Sequence, residues 1–288
     1  MSFNSVLKPG IFNGQHFIVT GGGSGIGRCT AHEIASLGGS VSLIGRNIEK
    51  LEKVCSEIEE DGGNADFFQC DIREEETVAD VVANVLSKHH KIDGLINNAG
   101  GQYPGPAMTI KQKGFEAVVK TNMMGGFLFA REVFNQSMSK TGGAIVNITA
   151  DMWGGMPGMI HSGAARAGMD NITKTLAFEW GHKGVRVNSI APGWIISSGM
   201  DTYDGAFKAI IPKLKDAVPM KRMGTESEIS GMICFLLSPA ASFINGTSIR
   251  IDGGASLGNR VWPLPNAKNC EPFEGFHRAE TPDIFKDD

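Results

Sequence analysis

The feature that most constrains the fold is a single junction near the N-terminus. Residues 16–20 (HFIVT) form a short apolar, β-branched run, GGGSGIG follows at once at 21–27, and RCTAHEIASLG follows that. The first run reads as a buried strand. The last reads as a helix, with Ile34 and Leu37 on its apolar face and Gly38 as its stop. A strand that turns through glycines straight into a helix begins a crossover, and crossovers recur along the chain. Strand-like runs lie at 40–46, around ADFFQCDI, at 92–100, 142–149, 185–193 and 247–254. Helical patterns lie between them at 47–63, around EEETVADVVANVLSKHH, at 109–139, at 162–182 and at 226–238. Strands joined by helices of this length pair in parallel, so the expected fold class is α/β, a doubly wound parallel sheet with helices on both faces.

The length of 288 residues suits one large domain of this kind. The expected division is residues 1–257 as the domain, with 197–219 as a mobile flap over a site. The Pro-, Asn- and charge-rich residues 258–288 are expected to wrap over the surface of this chain or a partner. A net charge of −4 gives no electrostatic case for nucleic acid. No apolar run approaches the roughly 20 residues that cross a bilayer, so no membrane association is expected. Five scattered cysteines lack metal-ligand spacing and read as reduced thiols. The chain opens without a basic-then-apolar signal pattern and ends in KDD rather than SKL, and a cytoplasmic location is expected.

In an open parallel sheet, ligands bind beyond the C-terminal ends of the strands. There Gly21, Gly25 and Gly27, with Ser24 and Ile26 between them, supply a tight turn and a close approach to a pyrophosphate. The helix N-terminus behind them offers N–H groups and partial positive charge. At the end of the second strand, where an acid would bind ribose hydroxyls, the chain reads Gly45-Arg46. A guanidinium pairs with a phosphate, so NADPH (NADP) is the expected cofactor. The alternative is that Arg46 is a solvated residue opening the next helix. Asp71 and Ile72, ending the third strand, are expected to flank an adenine, Asp71 accepting its amino hydrogen.

TGGGSGIG, Asp71, NNAG at 97–100, Asn122 and APG at 191–193 fall in the order and spacing of the short-chain dehydrogenase/reductase superfamily, which the chain resembles over roughly residues 12–256. The resemblance implies a single-domain Rossmann fold, a nicotinamide cofactor and a homodimer or homotetramer built on the helices at 109–139 and 162–182. It also implies that Asn98, Ala99 and Gly100 line the adenosine side and the central strand. Pro192 and Gly193, with Ile195 just beyond, would then lie at the nicotinamide. Asn122 matches a structural and proton-relay asparagine.

The family's catalytic set is a Ser, a Tyr thirteen residues later and a Lys four after that. Here the Tyr position holds Ser162 and the Lys position Arg166. Thr149 stands thirteen before Ser162, with Ala150 competing for that slot. The chain has only two tyrosines, Tyr103 and Tyr203, and neither is expected to fill the missing position. Without the phenol, interconversion of ketone and alcohol lacks its acid–base group. Reduction of a double bond conjugated to a thioester instead needs donors for an enolate oxygen. Ser at the Tyr position resembles the 2,4-dienoyl-CoA reductase branch, and HSGAARAG with FLLSPAASFI is similar to the peroxisomal trans-2-enoyl-CoA reductase branch.

The expected activity is therefore NADPH-dependent reduction of the 2,3 double bond of a trans-2-enoyl-CoA. In that scheme Arg166 orients the nicotinamide ribose and offsets the developing anion. Ser162 and Thr149 donate to the thioester oxygen, and Asn122 holds a water relay. Tyr103 and His161 are secondary proton-donor candidates, each with plain packing as the alternative. Met152, Met156, Met159 and Met200 either form an acyl channel or pack a core or flap. Lys208, Lys213, Lys215, Lys221 and Arg222 either meet the phosphates of coenzyme A or form a solvated face. Two further functions compete: an enzyme acting on a terpenoid or hydroxyacyl substrate, and a cofactor-binding protein without catalysis.

Overall fold

A computed structural model describes residues 2–203, 205–258 and 263–286. Asp204 of the expected flap, and residues 259–262 and 287–288 of the tail, lie outside them. Seven strands form one parallel sheet in the order β3-β2-β1-β4-β5-β6-β7. They are β1 (His16–Thr20), β2 (Ser40–Gly45), β3 (Asn64–Gln69), β4 (Gly94–Asn97), β5 (Gly143–Ile148), β6 (Val185–Pro192) and β7 (Ser248–Ile251). The order reverses between β1 and β4, which opens a crevice at the C-terminal edge.

The strand residues alternate between two cores, as a period of two requires. Val19, Leu43, Ile96 and Val146 point to the side covered by α1 (Gly25–Ser36), α2 (Ile48–Glu60) and α9 (Glu226–Leu237). Ile18, Ile44, Leu95 and Ile145 point to the opposite side. That side is covered by α3 (Glu75–His89), by the segments α4 (Gln112–Val119), α5 (Gly125–Val133) and α6 (Ser139–Thr141) of one long helix, and by α7 (Ile160–Trp180). On α2 the apolar residues Leu51, Val54 and Ile58 are fully sealed. Each such side chain contributes about 1.5–3 kcal/mol of burial. Thr225 and Glu228 close a capping box at the start of α9, a device worth about 1 kcal/mol.

Several boundaries differ from the sequence expectation, each for a local reason. The fourth strand stops at Asn97 rather than 100, because Asn98 turns to donate from Nδ2 to the Thr20 and Gly21 carbonyls at 3.0 and 3.2 Å. The last strand stops at Ile251, where Gly253 and Gly254 both take positive φ. The expected continuous helix over 109–139 begins at Gln112 and is interrupted by π turns at Lys120–Met124 and Phe134–Met138. π turns cluster at functional sites, and this first one carries Asn122.

The segment after β6 is no featureless flap. It contains a 3₁₀ turn at Ser198–Thr202, α8 (Gly205–Lys208) and a second 3₁₀ stretch at Ile211–Ala217. Met200, Ile211 and Met223 form a small core of its own, joined by Trp194, Tyr203, Phe207, Ile284 and Phe285. The C-terminal segment lies on this chain's own surface. Phe276 is buried and stacks on Phe3, with the Arg28 guanidinium 5.1 Å from its ring centre. Arg278 pairs with Asp61 and Glu60 at the end of α2.

Candidate active site

The crevice holds two adjoining hollows that share Asn98 and Gly100. The first, of about 560 Å³, lies over β1, β2 and β3. Gly21 has φ +65°, and a Cβ there would come within 2.9 Å of the Ala99 backbone. A Cβ on Gly27 would overlap the Gly21 carbonyl. Both positions therefore demand glycine, and the loop lies flat against the end of β4. Gly25 also has positive φ, +59°, but a Cβ there would meet only Glu226 and Ser197 at ordinary contact distance. Ser24 is the N-cap of α1, and its hydroxyl makes no capping bond. Thr20 braces the floor, its Oγ1 accepting from the N–H groups of Asn98 and Ala99 at 3.0 Å each.

Arg46 lies exposed on the rim of this hollow, and it is not alone. Lys50, one helical turn on, and Arg73 line the same space. Sequence reasoning missed both. The signal for Lys50 was its i+4 spacing from Arg46. Arg73 had none, because only the β2–β3 pairing brings it beside Arg46. Asp71 lines the hollow too, but Arg73 takes its carboxylate from both sides, Nε to Oδ1 at 2.8 Å and Nη2 to Oδ2. That pairing, with Arg46 nearby, holds the Asp71 carboxyl below the usual carboxylate range. Asp71 thus anchors a guanidinium while still lining the hollow. Ile72 and Ala99 supply apolar walls. A glycine cradle at a helix N-terminus with a cationic rim fits a dinucleotide carrying an extra phosphate.

The second hollow, of about 350 Å³, lies beyond β5 and β6 and under the segment after β6. Ile26, Thr149, Ala150, Arg166, Pro192, Gly193 and Ile195 line it. Arg166 Nη1 donates to the Ile148 carbonyl at 2.5 Å, while Nε is sealed from water without a partner. Burial pulls the guanidinium down to about 10, so it stays charged at neutral pH. The Thr149 hydroxyl proton is taken by the Ile190 carbonyl at 3.0 Å.

Ser162 does not reach the hollow. It is fully buried, and its hydroxyl donates to Gln102 Oε1 at 2.6 Å. Asn122, also buried, donates to Ser162 Oγ at 3.4 Å and accepts from the Gly101 N–H at 2.8 Å. Gln102 in turn donates from Nε2 to the Tyr203 hydroxyl at 3.1 Å. Gln102, Tyr203, Trp194 and Phe207 line the hollow and were not foreseen as site residues. Tyr203 is brought in by the segment after β6, which sequence spacing cannot reveal.

The secondary candidates fall elsewhere. His161 is fully buried, its Nδ1 accepting from the Ser162 N–H at 2.8 Å and its Nε2 unpartnered. Burial lowers its pKa. Tyr103 packs edge-on against it at 4.5 Å and covers Gly114. Of the four methionines, only Met200 lines the hollow. Arg222 is occupied by a bidentate pair with Glu228 at 2.9 and 2.6 Å. None of the five basic residues expected near coenzyme A lines this hollow.

The family model described as "Enoyl-(Acyl carrier protein) reductase" matches residues 21–256. This chain is a short-chain dehydrogenase/reductase. As a member of that family it is an oxidoreductase with a nicotinamide cofactor site, and its sheet is the family's Rossmann sheet. A probable 2,4-dienoyl-CoA reductase of Bacillus subtilis is 38% identical over 83% of this chain and 96% of its own length. A 3-oxoacyl-[acyl-carrier-protein] reductase of Staphylococcus epidermidis is 31% identical over 82% of this chain and 97% of its own. A solved structure from Pseudomonas aeruginosa PAO1, described as a citronellol catabolism dehydrogenase (AtuB), is 60% identical. It covers 88% of this chain and 100% of its own, with a TM-score of 0.81. No helix among the described residues is long and apolar enough to cross a membrane.

Within this family member, α7 presents the cation of the usual pair but no phenol. Arg166 faces the hollow at the position of the family Lys. Ser162, at the position of the family Tyr, is buried behind Gln102 and bonded into the Asn122–Gln102 network.

Proposed function

We propose that the protein is an NADPH-dependent reductase of the 2,3 double bond of enoyl-CoA thioesters. The observation that carries the reading is Arg166: a fixed guanidinium on the hollow at the position of the family Lys, with no phenol on the same helix. NADPH, when bound, supplies a hydride to the β-carbon. Negative charge then develops on the thioester oxygen, and a preorganised cation stabilises it. The Ser162 and Thr149 hydroxyl protons are already committed within the protein, so Arg166 carries most of this stabilisation. Trp194, Phe207 and Leu214 give the acyl chain an apolar wall. The cationic rim of Arg46, Lys50 and Arg73 supports NADPH over NADH. The relatives named 2,4-dienoyl-CoA reductase support a thioester substrate.

A second reading is favoured by one observation, the 60% identity to the solved citronellol catabolism dehydrogenase. It makes a terpenoid the substrate, and the apolar hollow suits a branched hydrocarbon equally well. Cofactor consumption, with NADPH and NADH in parallel, separates the two readings. The substrates are crotonyl-CoA, a longer 2-enoyl-CoA, a 2,4-dienoyl-CoA, and terpenoid alcohols and ketones. Turnover of the thioesters alone supports the first reading, and turnover of the terpenoids alone replaces it. Arg166→Ala should lower kcat by about 2.7–4 kcal/mol, roughly 100- to 1000-fold, and change the apparent KM far less. An undiminished kcat in that variant removes the oxyanion role.

A further inference from the structure

We infer that Tyr203, carried into the second hollow by the segment after β6, is the proton donor of the reaction, with Gln102 and Ser162 as its positioning residues. The inference deepens the enoyl-thioester reading and rests on it.

The direction of each hydrogen bond makes the case. Asn122 Nδ2 donates to Ser162 Oγ, so that oxygen acts as acceptor on its inner side. The single Ser162 proton goes to Gln102 Oε1 at 2.6 Å. This bond fixes which end of the Gln102 amide faces inward, because only the carbonyl end can accept. The NH₂ end therefore faces outward, and Nε2 donates to the Tyr203 oxygen at 3.1 Å. That oxygen accepts along this line, so its own proton is directed away from Gln102. Tyr203 and Gln102 line the same hollow as Arg166 and Thr149. The chain of donors Asn122, Ser162, Gln102 and Tyr203 runs outward from the buried core, each bond polarising the next. The Tyr203 ring is held 4.9 Å from Phe207 and packs with the Met200 and Ile211 cluster.

Competing acids are poorly placed. His161 is buried and tied to the Ser162 N–H. Tyr103 packs on His161 and Gly114, outside the hollow. Among the described residues, the other hydroxyls on the hollow belong to Thr149, Ser197 and Thr202, and an alcohol is a far weaker acid than a phenol. The phenol absent from α7 is thus supplied by a different element.

The proton step balances as follows. The hydride brings two electrons and one hydrogen nucleus to the β-carbon, and the π pair moves to the α-carbon and thioester oxygen. The Tyr203 O–H bond breaks, its proton forms the new bond at that enolate, and its electron pair stays on the phenolate. The Gln102 N–H remains to hold the phenolate until solvent returns a proton.

Crotonyl-CoA with NADPH, followed at 340 nm, tests this in wild type, Tyr203→Phe, Tyr103→Phe, Gln102→Leu and Ser162→Ala, with NADPH fluorescence titration confirming that each variant folds. Tyr203→Phe should lose roughly 100-fold or more in kcat, as removal of a general acid does, with apparent KM within a few-fold. Gln102→Leu should lose less and move the alkaline limb of the kcat–pH profile to higher pH, which a purely structural role leaves in place. Ser162→Ala should move the same limb in the same direction. Wild-type turnover with Tyr203→Phe within threefold of it, or with the loss carried by Tyr103→Phe instead, overturns the inference. A wild type that reduces ketones but no enoyl thioester overturns the functional reading instead. The same Tyr203→Phe comparison on the ketone then decides the donor. No turnover of either substrate by a wild type that binds NADPH overturns both.

Discussion

Arg46 and Arg73 share one rim but not one role. Arg73 spends its guanidinium on Asp71, whereas Arg46 makes no ion pair among the described residues. Arg46 is therefore the group free to meet a phosphate on the ribose. A charge-assisted bond contributes about 1.5–3 kcal/mol, so Arg46→Ala should weaken NADPH binding roughly 10- to 100-fold and leave NADH nearly unchanged. Isothermal titration with both cofactors reads this directly. Equal wild-type affinity for NADH and NADPH defeats the assignment. Arg73→Ala should also weaken NADPH binding, because it removes a cation from the rim and leaves the Asp71 carboxylate unpaired to repel the phosphate.

The segment after β6 is held from above by the C-terminus. The N–H groups of Asp283 and Ile284 donate to the two oxygens of Asp201 at 3.1 and 3.4 Å. Ile284 and Phe285 pack into the cluster that contains Tyr203 and Phe207. The segment packs on a small cluster of its own, separate from the two cores of the sheet, and such an element opens at low free-energy cost. Removing residues 282–288 should speed hydrogen exchange across 198–217 and lower turnover, while the melting temperature moves little. Cofactor and an acyl-CoA together should slow the same exchange in the full chain. Exchange that ignores both the truncation and the ligands would show that the segment is not a lid.

Charge and surface at the scale of the whole molecule lead to two expectations. Burial pushes the Glu226 carboxyl up to about 7, with Arg28 opposing and Glu280 adding to the rise. The folded state therefore holds this proton over a range where the unfolded chain, titrating near 4.5, has released it. Stability from this group is full below pH 4.5 and is lost as pH rises through about 7. Glu226→Gln should thus leave stability nearly unchanged at pH 4.5 and raise it by about 1–3 kcal/mol at pH 8. Chemical denaturation at the two pH values checks this. The second expectation concerns assembly. Met124, Ile160 and Phe178, on the long helix and α7, are 43%, 47% and 90% exposed. Exposed apolar side chains on these helices suit burial against a second copy, and light scattering at micromolar concentration should report a dimer or tetramer. A monomer would refute it.

The parallel sheet, the glycine cradle and the position of Arg166 could all be read from the chain. Each depends on residues adjacent in sequence or on periods of 2 and 3.6, and local pattern carries that information. The glycines at 21 and 27 are legible because their backbone neighbours admit no Cβ. Other decisions were made only in three dimensions. Ser162 sits where the family motif puts a catalytic residue, yet it is buried and its hydroxyl proton is taken by Gln102. Asp71 is spent on Arg73, two residues along. Tyr203 lies 37 positions beyond Arg166, judged by its number, and reaches the same hollow because the segment after β6 folds back over it. Periodicity cannot place such a segment, because its course is set by a small core of Met200, Ile211 and Met223 whose members come from separate turns. Hydrogen-bond direction is likewise a property of the packed site. One hydroxyl has one proton, and which neighbour receives it is determined only when the neighbours are assembled.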